Sequence, residues 1–197
     1  MKHVWTGSWL PFSDSGVCPS RPRHAVGPAQ GFFHFALLLK NPSICSTGNG
    51  GATRARAITL GSMNPGRRLH TATLLPTGLV LVAGGADASS PLASAELYYP
   101  ASGTWTNTHS LNTAREYHTE TLTPNGLVLV AAGYGASGAL ASAELYSPAA
   151  GTWTYTASLN TARYYHTATL LPSGFVLVAG GENANGENGS GELYCPY

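Results

Sequence analysis

Lysine is absent from residue 68 to residue 197, and arginine occurs there only at positions 68, 115 and 163. The same stretch carries eight acidic residues, so its formal charge is −5, whereas residues 1–67 carry +6. Because a nucleic-acid surface needs clustered Lys or Arg to meet phosphates, this acidic region predicts no nucleic-acid partner. The opposite charges of the two regions predict that they are separate parts of the chain.

Long apolar runs are also lacking. The longest, GFFHFALLLK, spans residues 31–40, whereas a membrane-spanning helix needs about 20 apolar residues. It begins far from the first residue and no small-residue cleavage pattern follows it, which does not fit a signal peptide. We therefore expect no membrane span. The low charge of the repeats resembles that of exported bacterial proteins, but the sequence shows no export signal and leaves the compartment unknown.

Cysteine is scarce and unpaired in pattern. Cys18, Cys45 and Cys195 have neither C-x-x-C spacing nor a neighbouring histidine motif, so they predict no zinc site and no disulfide framework. We expect no metal and no other cofactor.

Residues 1–55 show neither helical nor strand periodicity and contain prolines at positions 11, 19, 22, 28 and 42. We interpret this segment as a poorly ordered leader. The alternative is a short helix over 31–40 that caps an exposed face of the region that follows.

The dominant feature of the chain is a stretch written three times, 48 residues apart, at 69–85, 117–133 and 165–181. Its last copy reads YHTATLLPSGFVLVAGG. A fixed period of this length is typical of stacked or radial repeat folds. Several residue types recur at the same spacing: His70, His118 and His166; Glu96, Glu144 and Glu192; Tyr98, Tyr146 and Tyr194; Trp105 and Trp153.

Each repeat divides into four short strand-like segments. In the third copy the Thr-rich stretch HTATLLP and the apolar run FVLVAGG are joined by Pro-x-Gly, a hairpin signal. The segments SAELY and TWTYTASL of the second copy supply the third and fourth strands. Four antiparallel strands without a helix make one blade of a β-propeller. The prediction is an all-β fold with about three four-stranded blades, at 64–111, 112–159 and 160–197.

The repeat resembles the kelch motif, in which a Gly doublet closes the second strand and a Tyr precedes a Trp. The resemblance covers residues 56–197 and extends to bacterial kelch proteins and the propeller of galactose oxidase-like enzymes. The second copy departs from it with Ala132-Gly133, and the third ends before its Trp. The matching positions are Gly84, Gly85, Tyr98, Trp105, Gly133, Tyr146, Trp153, Gly180, Gly181 and Tyr194.

Three blades leave two apolar blade faces uncovered, although propellers usually have four to eight blades. Residues 56–63 align with the fourth strand and could close the third blade, as terminal strands do in kelch propellers. Either the chain is a fragment of a longer propeller, or copies of it associate to complete one.

The loops between the second and third strands, at 86–93, 134–141 and 182–189, vary most between copies. The kelch resemblance implies that they share a partner-binding face with the Arg-x-x-His segments. We therefore predict ligand contacts from the following residues: Asp87, Tyr134, Glu182, Asn185, Glu187, Arg67, Arg115 and Arg163. The alternative for the arginines is interblade ion pairing with Glu96, Glu144 and Glu192. The recurring histidines are interpreted as packing residues, not metal ligands.

Glu120 breaks the repeat, because the other copies have Ala72 and Ala168 at this position. We expect its side chain to face a solvated channel. No nucleophile, phosphate-loop or paired-carboxylate motif occurs. The sequence thus predicts a module without catalysis of its own, which binds a protein or carbohydrate ligand through its loop face. The alternative is a structural piece of a larger galactose oxidase-like propeller.

Overall fold

The computed structural model describes residues 59–196, and this part of the chain contains strands and no helix. None of its elements is therefore a helix able to cross a membrane. The predicted all-β class is confirmed. The leader at 1–55 lies outside the described residues.

The strands form three antiparallel blade sheets, one for each repeat, and two small two-stranded sheets in the loops. The first blade contains β1 (Thr71–Leu74), β2 (Val80–Ala83), β3 (Ala95–Tyr99) and β4 (Thr104–Thr108). The second contains β5 (Thr119–Leu122), β6 (Val128–Ala131), the loop hairpin β7 (Tyr134–Gly135) and β8 (Gly138–Ala139), then β9 (Ala143–Ser147) and β10 (Thr152–Thr156). The third contains β11 (Thr167–Leu170), β12 (Val176–Ala179), the loop hairpin β13 (Glu182–Asn183) and β14 (Gly186–Glu187), then β15 (Gly191–Tyr194).

The sequence of each blade explains which strands pair and which strand lies in the middle of the sheet. The Thr-rich first strand pairs with the VLVA strand across a tight turn, whose glycine has a φ of 82° at Gly78 and at Gly126. A non-glycine residue would be strained there. The VLVA strand lies in the middle of the sheet, where an apolar run buried on both faces is expected. The strands β1, β5 and β11 lie next to one another, so they are the inner strands.

Blades pack face to face through two apolar clusters. In the first seam, Leu81 and Ala83 of the first blade contact a group from the second that includes Val128, Tyr146 and Trp153. The second seam repeats these contacts one blade later and consists of Leu129, Ala131, Ala132, Ala143, Leu159, Val176, Val178 and Tyr194. The second blade is therefore covered on both faces.

The first glycine of the doublet lies against the seam. A Cβ at Gly84 would lie 2.6 Å from the carbonyl oxygen of Arg115 and 2.7 Å from Cε1 of His118, both in the next blade. Gly84 also has a φ of 60°. Ala132 holds the equivalent place in the second blade at a φ of 54°, so the fold accommodates one methyl group at this point at the cost of backbone strain.

Residues 59–63 form no strand, and residues 56–58 lie outside the described part of the chain. Trp105 Nε1 donates to the Gly61 carbonyl at 2.8 Å, as Trp153 Nε1 does to the His109 carbonyl at 2.8 Å. Gly61 therefore stands where the segment leaving a preceding blade would stand. Closure of the third blade by residues 56–63 stays a prediction.

Candidate ligand-binding face

The variable loops and the segments that enter the inner strands lie at one end of the sheets. Single bridges join them in each blade, between Arg68 and Ala86, between Glu116 and Tyr134, and between Tyr164 and Glu182. We call this end the loop face. It consists of residues 67–70, 115–118 and 163–166 and of the loops 86–93, 134–141 and 182–189.

The three repeated arginines lie beneath the loop face, with their side chains fully buried. Arg67, Arg115 and Arg163 form ion pairs of 2.8, 2.9 and 2.7 Å with Glu96, Glu144 and Glu192. In all three the guanidinium exposure is 0%. The arginines thus pair with the three glutamates that the alternative named, and with buried side chains they present no guanidinium to the solvent side of the loop face.

Each pair lies within one repeat, although the sequence suggested pairing between blades. Arg115 Nη1 also donates to the carbonyls of Ala132 and Ser142, both at 2.8 Å. Glu144 accepts the backbone N–H groups of Asn112 and Thr113 at 2.7 and 2.9 Å. Since the buried charges of Arg115 and Glu144 each have several partners, this network fixes the segment that enters the blade and so positions the loop face.

The repeated histidines join neighbouring blades. His118 Nε2 lies 2.8 Å from Thr71 Oγ1, and His166 Nε2 lies 2.8 Å from Thr119 Oγ1. Burial, with a smaller effect of Arg115, lowers the pKa of His118 to about 3. Burial lowers the pKa of His166 to about 4, again with an arginine, Arg163, nearby. Both imidazoles are therefore neutral packing groups near pH 7, in separate seams.

Four tyrosines cluster on the loop face. The ring of Tyr165 lies 4.1 Å from that of Tyr117 and 5.1 Å from that of Tyr164, between centroids. Tyr134 meets Tyr164 edge-on at 5.2 Å. Tyr165 and Tyr134 remain 54% and 38% exposed. The cluster therefore presents aromatic surface to solvent.

Two of these tyrosines are held in a strained backbone conformation. Tyr117 and Tyr165 have φ values of 54° and 56°, and Leu69 has 58° at the same position of the first repeat. Left-handed φ is rare for bulky residues and persists where surrounding contacts impose it. Here the next residue in each case is the repeated histidine, and in the second and third copies it is bonded in a seam. The left-handed conformation is therefore common to all three repeats, and in the second and third it is adopted by a tyrosine of the cluster.

The carboxylate of Glu182 flanks the tyrosine cluster. Glu182 pairs through its backbone with Tyr164, and its carboxylate raises the pKa of the Tyr164 phenol. The neighbouring Tyr117 hydroxyl raises the pKa of Tyr165 to about 12. The raised pKa values keep the phenols of Tyr164 and Tyr165 protonated at neutral pH, so they can donate hydrogen bonds, whereas the Glu182 carboxylate can only accept them.

The other predicted contact residues occupy the loop tips. Asp87 Oδ1 accepts the N–H groups of Ser89 and Ser90 at 2.7 and 2.9 Å, and these bonds lower its pKa. Asn185 and Glu187 are exposed at the β13–β14 hairpin. The structure therefore groups Tyr134 and Glu182 with the tyrosine cluster, and leaves Asp87 in another blade's loop.

Glu120 differs from expectation. Both carboxyl oxygens are buried and neither has a hydrogen-bond partner in the described part of the chain. Burial raises the pKa of Glu120 to about 7, against the opposing effect of the nearby Thr71 and Thr73 hydroxyls. The predicted solvated position is therefore wrong, because the neighbouring inner strand covers the carboxyl group.

Comparison with known proteins gives no family model and no curated protein that matches the chain. The fold resembles that of a fungal alcohol oxidase. This solved structure, of the AA5 family and in complex with copper, matches with a TM-score of 0.58 at 17% identity. The match covers 66% of this chain and 31% of that one, so the chain spans about a third of the oxidase. The likeness supports a galactose oxidase-like fold.

The expectation that the chain is not an enzyme is overturned by this finding, because its fold matches part of an oxidase. At this identity the likeness concerns the fold alone.

Copper in that oxidase raises the question of whether residues here could hold it. No group of three or more His, Cys, Asp or Glu side chains within residues 59–196 is placed to bind a metal ion. His118 and His166 lie in different seams and face threonines, and Cys195 is exposed on the third blade. The residues described here do not fit a copper centre.

Sequence reasoning missed Tyr117, Tyr164 and Tyr165. The sequence did contain a signal. The residue before the repeated histidine is Tyr117 in the second repeat and Tyr165 in the third, where it follows Tyr164, whereas it is Leu69 in the first. Tyrosine stands directly before the histidine in two of the three repeats, and the leucine of the first repeat shows that the position also takes an aliphatic side chain.

Proposed function

We propose that the chain is a kelch-type propeller segment that binds carbohydrate through its loop face. The observation that carries this proposal is the exposed cluster of Tyr117, Tyr134, Tyr164 and Tyr165. Tyrosine combines a large apolar ring with a polar hydroxyl, which suits the apolar C–H faces and hydroxyl rim of a sugar.

Charge favours a neutral sugar over an anionic ligand. The three repeated arginines are buried in ion pairs, so they offer no positive charge to a phosphate or carboxylate. Glu182 lies beside the tyrosines, and a carboxylate accepts hydrogen bonds from sugar hydroxyls. Arg68 is exposed on the first-blade part of the loop face, where it donates to the Asp87 carbonyl at 2.7 Å. The tyrosine cluster, which lies in the other two blades, thus fits a hydroxyl-rich, uncharged ligand.

A glycan array followed by titration calorimetry tests this function. We expect the wild-type protein to bind specific glycans on the array. Tyr165→Ala and Tyr134→Ala should each bind at least tenfold more weakly, since a stacked ring contributes roughly 1–3 kcal/mol in comparable aromatic platforms. Tyr155→Ala is the matched control, because Tyr155 is 60% exposed but lies on the outer strand of the second blade. The proposal would be disproved if the protein bound no glycan on the array, or if all three variants bound equally well.

A second candidate is a structural segment within a larger galactose oxidase-like propeller. It is favoured by the match to only 31% of the alcohol oxidase. In that case the protein would bind no glycan on the same array, and the chain would become stable only alongside further blades.

A further inference from the structure

The two outer blades each carry one apolar face that the described residues leave uncovered. Cross-strand neighbours share a face of a sheet. In the first blade, Leu74, Val80 and Tyr98 are such neighbours, and we call them the first-blade free face. In the third blade, Leu177 pairs with Leu193, and these two leucines with Ala179 are the third-blade free face.

The middle blade shows what each free face is built to contact. Leu122, Val128 and Tyr146 hold the positions equivalent to the first-blade free face, and all pack in the first seam. Leu129, Leu145 and Ala131 hold the positions equivalent to the third-blade free face, and all pack in the second seam. The free faces are therefore the two halves of one further seam.

Exposure supports this reading. Leu74 is 64% exposed and Leu193 is 61% exposed, the two highest values among the large hydrophobic side chains with substantial exposure. Their middle-blade counterparts, Leu122 and Leu145, are partly buried and packed in seams. Contiguous exposed apolar surface of this kind is typical of an interaction site.

Backbone groups are matched in the same way. Gly85 N–H donates to the Arg115 carbonyl and Gly133 N–H to the Arg163 carbonyl, both at 2.9 Å across a seam. The equivalent Gly181 N–H has no such acceptor within residues 59–196. A Cβ at Gly180 would have no neighbour closer than 3.9 Å, whereas at Gly84 the next blade lies at 2.6 Å. The third blade thus keeps space for the entering segment of another blade.

We propose that a second copy of this chain covers these faces, with the first-blade free face of one copy packed on the third-blade free face of the other. The occupant must supply an Arg-x-x-His segment and a Leu–Val–Tyr face in the blade register, and the first blade of this chain carries both. Such head-to-tail contacts close into a ring when the rotation fits. Two copies would place six blades in it, within the usual range for propellers. This inference does not depend on ligand binding.

Light scattering on the purified full chain tests the proposal. We expect twice the 20.4 kDa mass of one chain. Leu74→Glu and Leu193→Glu should each weaken association at least tenfold, because each places a carboxylate in a seam. Since both leucines are exposed, the variants should keep the wild-type circular dichroism spectrum. Tyr155→Glu is the control, with an exposed ring outside the free faces, and should stay dimeric.

Mixing the two variants provides a second measurement. Leu74→Glu retains an intact third-blade face, and Leu193→Glu retains an intact first-blade face, so the mixture should form heterodimers through one good seam. If each free face instead packed on the same face of another copy, mixing the two variants would form no better seam than either variant forms alone. A monomeric wild-type chain, a dimer unaffected by both variants, or a mixture that remains monomeric would each overturn the proposal.

Discussion

At the scale of single residues, buried Arg–Glu pairs constrain the segments that enter the blades. Arg115 and Glu144 are both fully buried and pair at 2.9 Å, with burial lowering the pKa of Arg115 against the opposing effect of Glu144. A buried pair of this kind adds little over an apolar pair, but loss of one partner leaves an uncompensated charge. The pair therefore acts mainly as a constraint on where the entering segment lies.

Glu144→Gln should lower the free energy of unfolding by about 3–5 kcal/mol, because Arg115 would keep its charge without a counter-ion. Chemical denaturation of the variant beside Glu187→Gln gives the measurement. Glu187 is exposed at a loop hairpin, so its amide variant should remain within about 0.5 kcal/mol of wild type. Equal stability of the two variants would contradict the role given to the ion pair.

Glu120 gives the fold a defined pH dependence. Its folded pKa is raised to about 7 from an ordinary 4.5, so the folded state binds the proton more tightly than the unfolded state. Its contribution to stability is therefore fully present below pH 4.5 and is lost as pH rises through 7.

Glu120→Ala should consequently gain stability over wild type, by about 1–3 kcal/mol more at pH 8 than at pH 4.5. The alanines at the equivalent positions of the other repeats show that the small side chain fits. Thermal unfolding across this pH range measures the difference. The depressed pKa values of His118 and His166 remove stability in both proteins as pH falls below 6.5, and so cancel in the comparison. A pH-independent difference would contradict the burial of the carboxyl group.

At the scale of elements, the seam between blades decides which glycines are required. Gly84 and Gly126 both have positive φ, at 60° and 82°. A Cβ would meet the next blade at Gly84 but nothing within 4 Å at Gly126. Comparing the two positions separates backbone strain from interblade packing.

Gly126→Ala should cost about 1–2 kcal/mol from left-handed backbone strain alone. Gly84→Ala should cost about 1–3 kcal/mol more, since the added methyl overpacks the seam. Denaturation midpoints of the two variants provide the test. Ala132 shows that the seam can adjust around a methyl, so both proteins should still fold. Equal costs at the two sites would mean that the seam is looser than the structure indicates.

Strand positions could be predicted from the repeat because each carries a local signal: Thr-rich first strands, VLVA second strands, and Pro-x-Gly turns between them. The hairpins β7–β8 and β13–β14 were missed because Gly-, Ser- and Asn-rich loops resemble irregular connections in sequence. The burial of Arg115 could not be decided either, since a repeated arginine suits both an ion pair and a ligand mouth. Which role applies depends on how far beneath the loop face the arginine side chain lies, and the packing of the blades sets that depth.

For the whole molecule, stability in a stacked array depends on contacts between neighbours, so each blade is only as stable as the seams beside it. In the described residues the second blade has two seams and the outer blades have one each. Packing of a second copy on both free faces would give every blade two seams. The distribution of local stability therefore reports on the assembly independently of its mass.

Amide hydrogen exchange measures that distribution. The central strands β2, β6 and β12 have the same VLVA sequence, so their intrinsic exchange rates match and differences in protection reflect burial. In the wild-type dimer we expect similar protection in all three. In the Leu74→Glu, Leu193→Glu double variant, β2 and β12 should exchange faster by at least tenfold while β6 changes least, because the outer blades open without unfolding the middle one. Uniform acceleration of all three strands would indicate that the blades unfold as one unit, and unchanged rates would mean that the free faces contribute no seam.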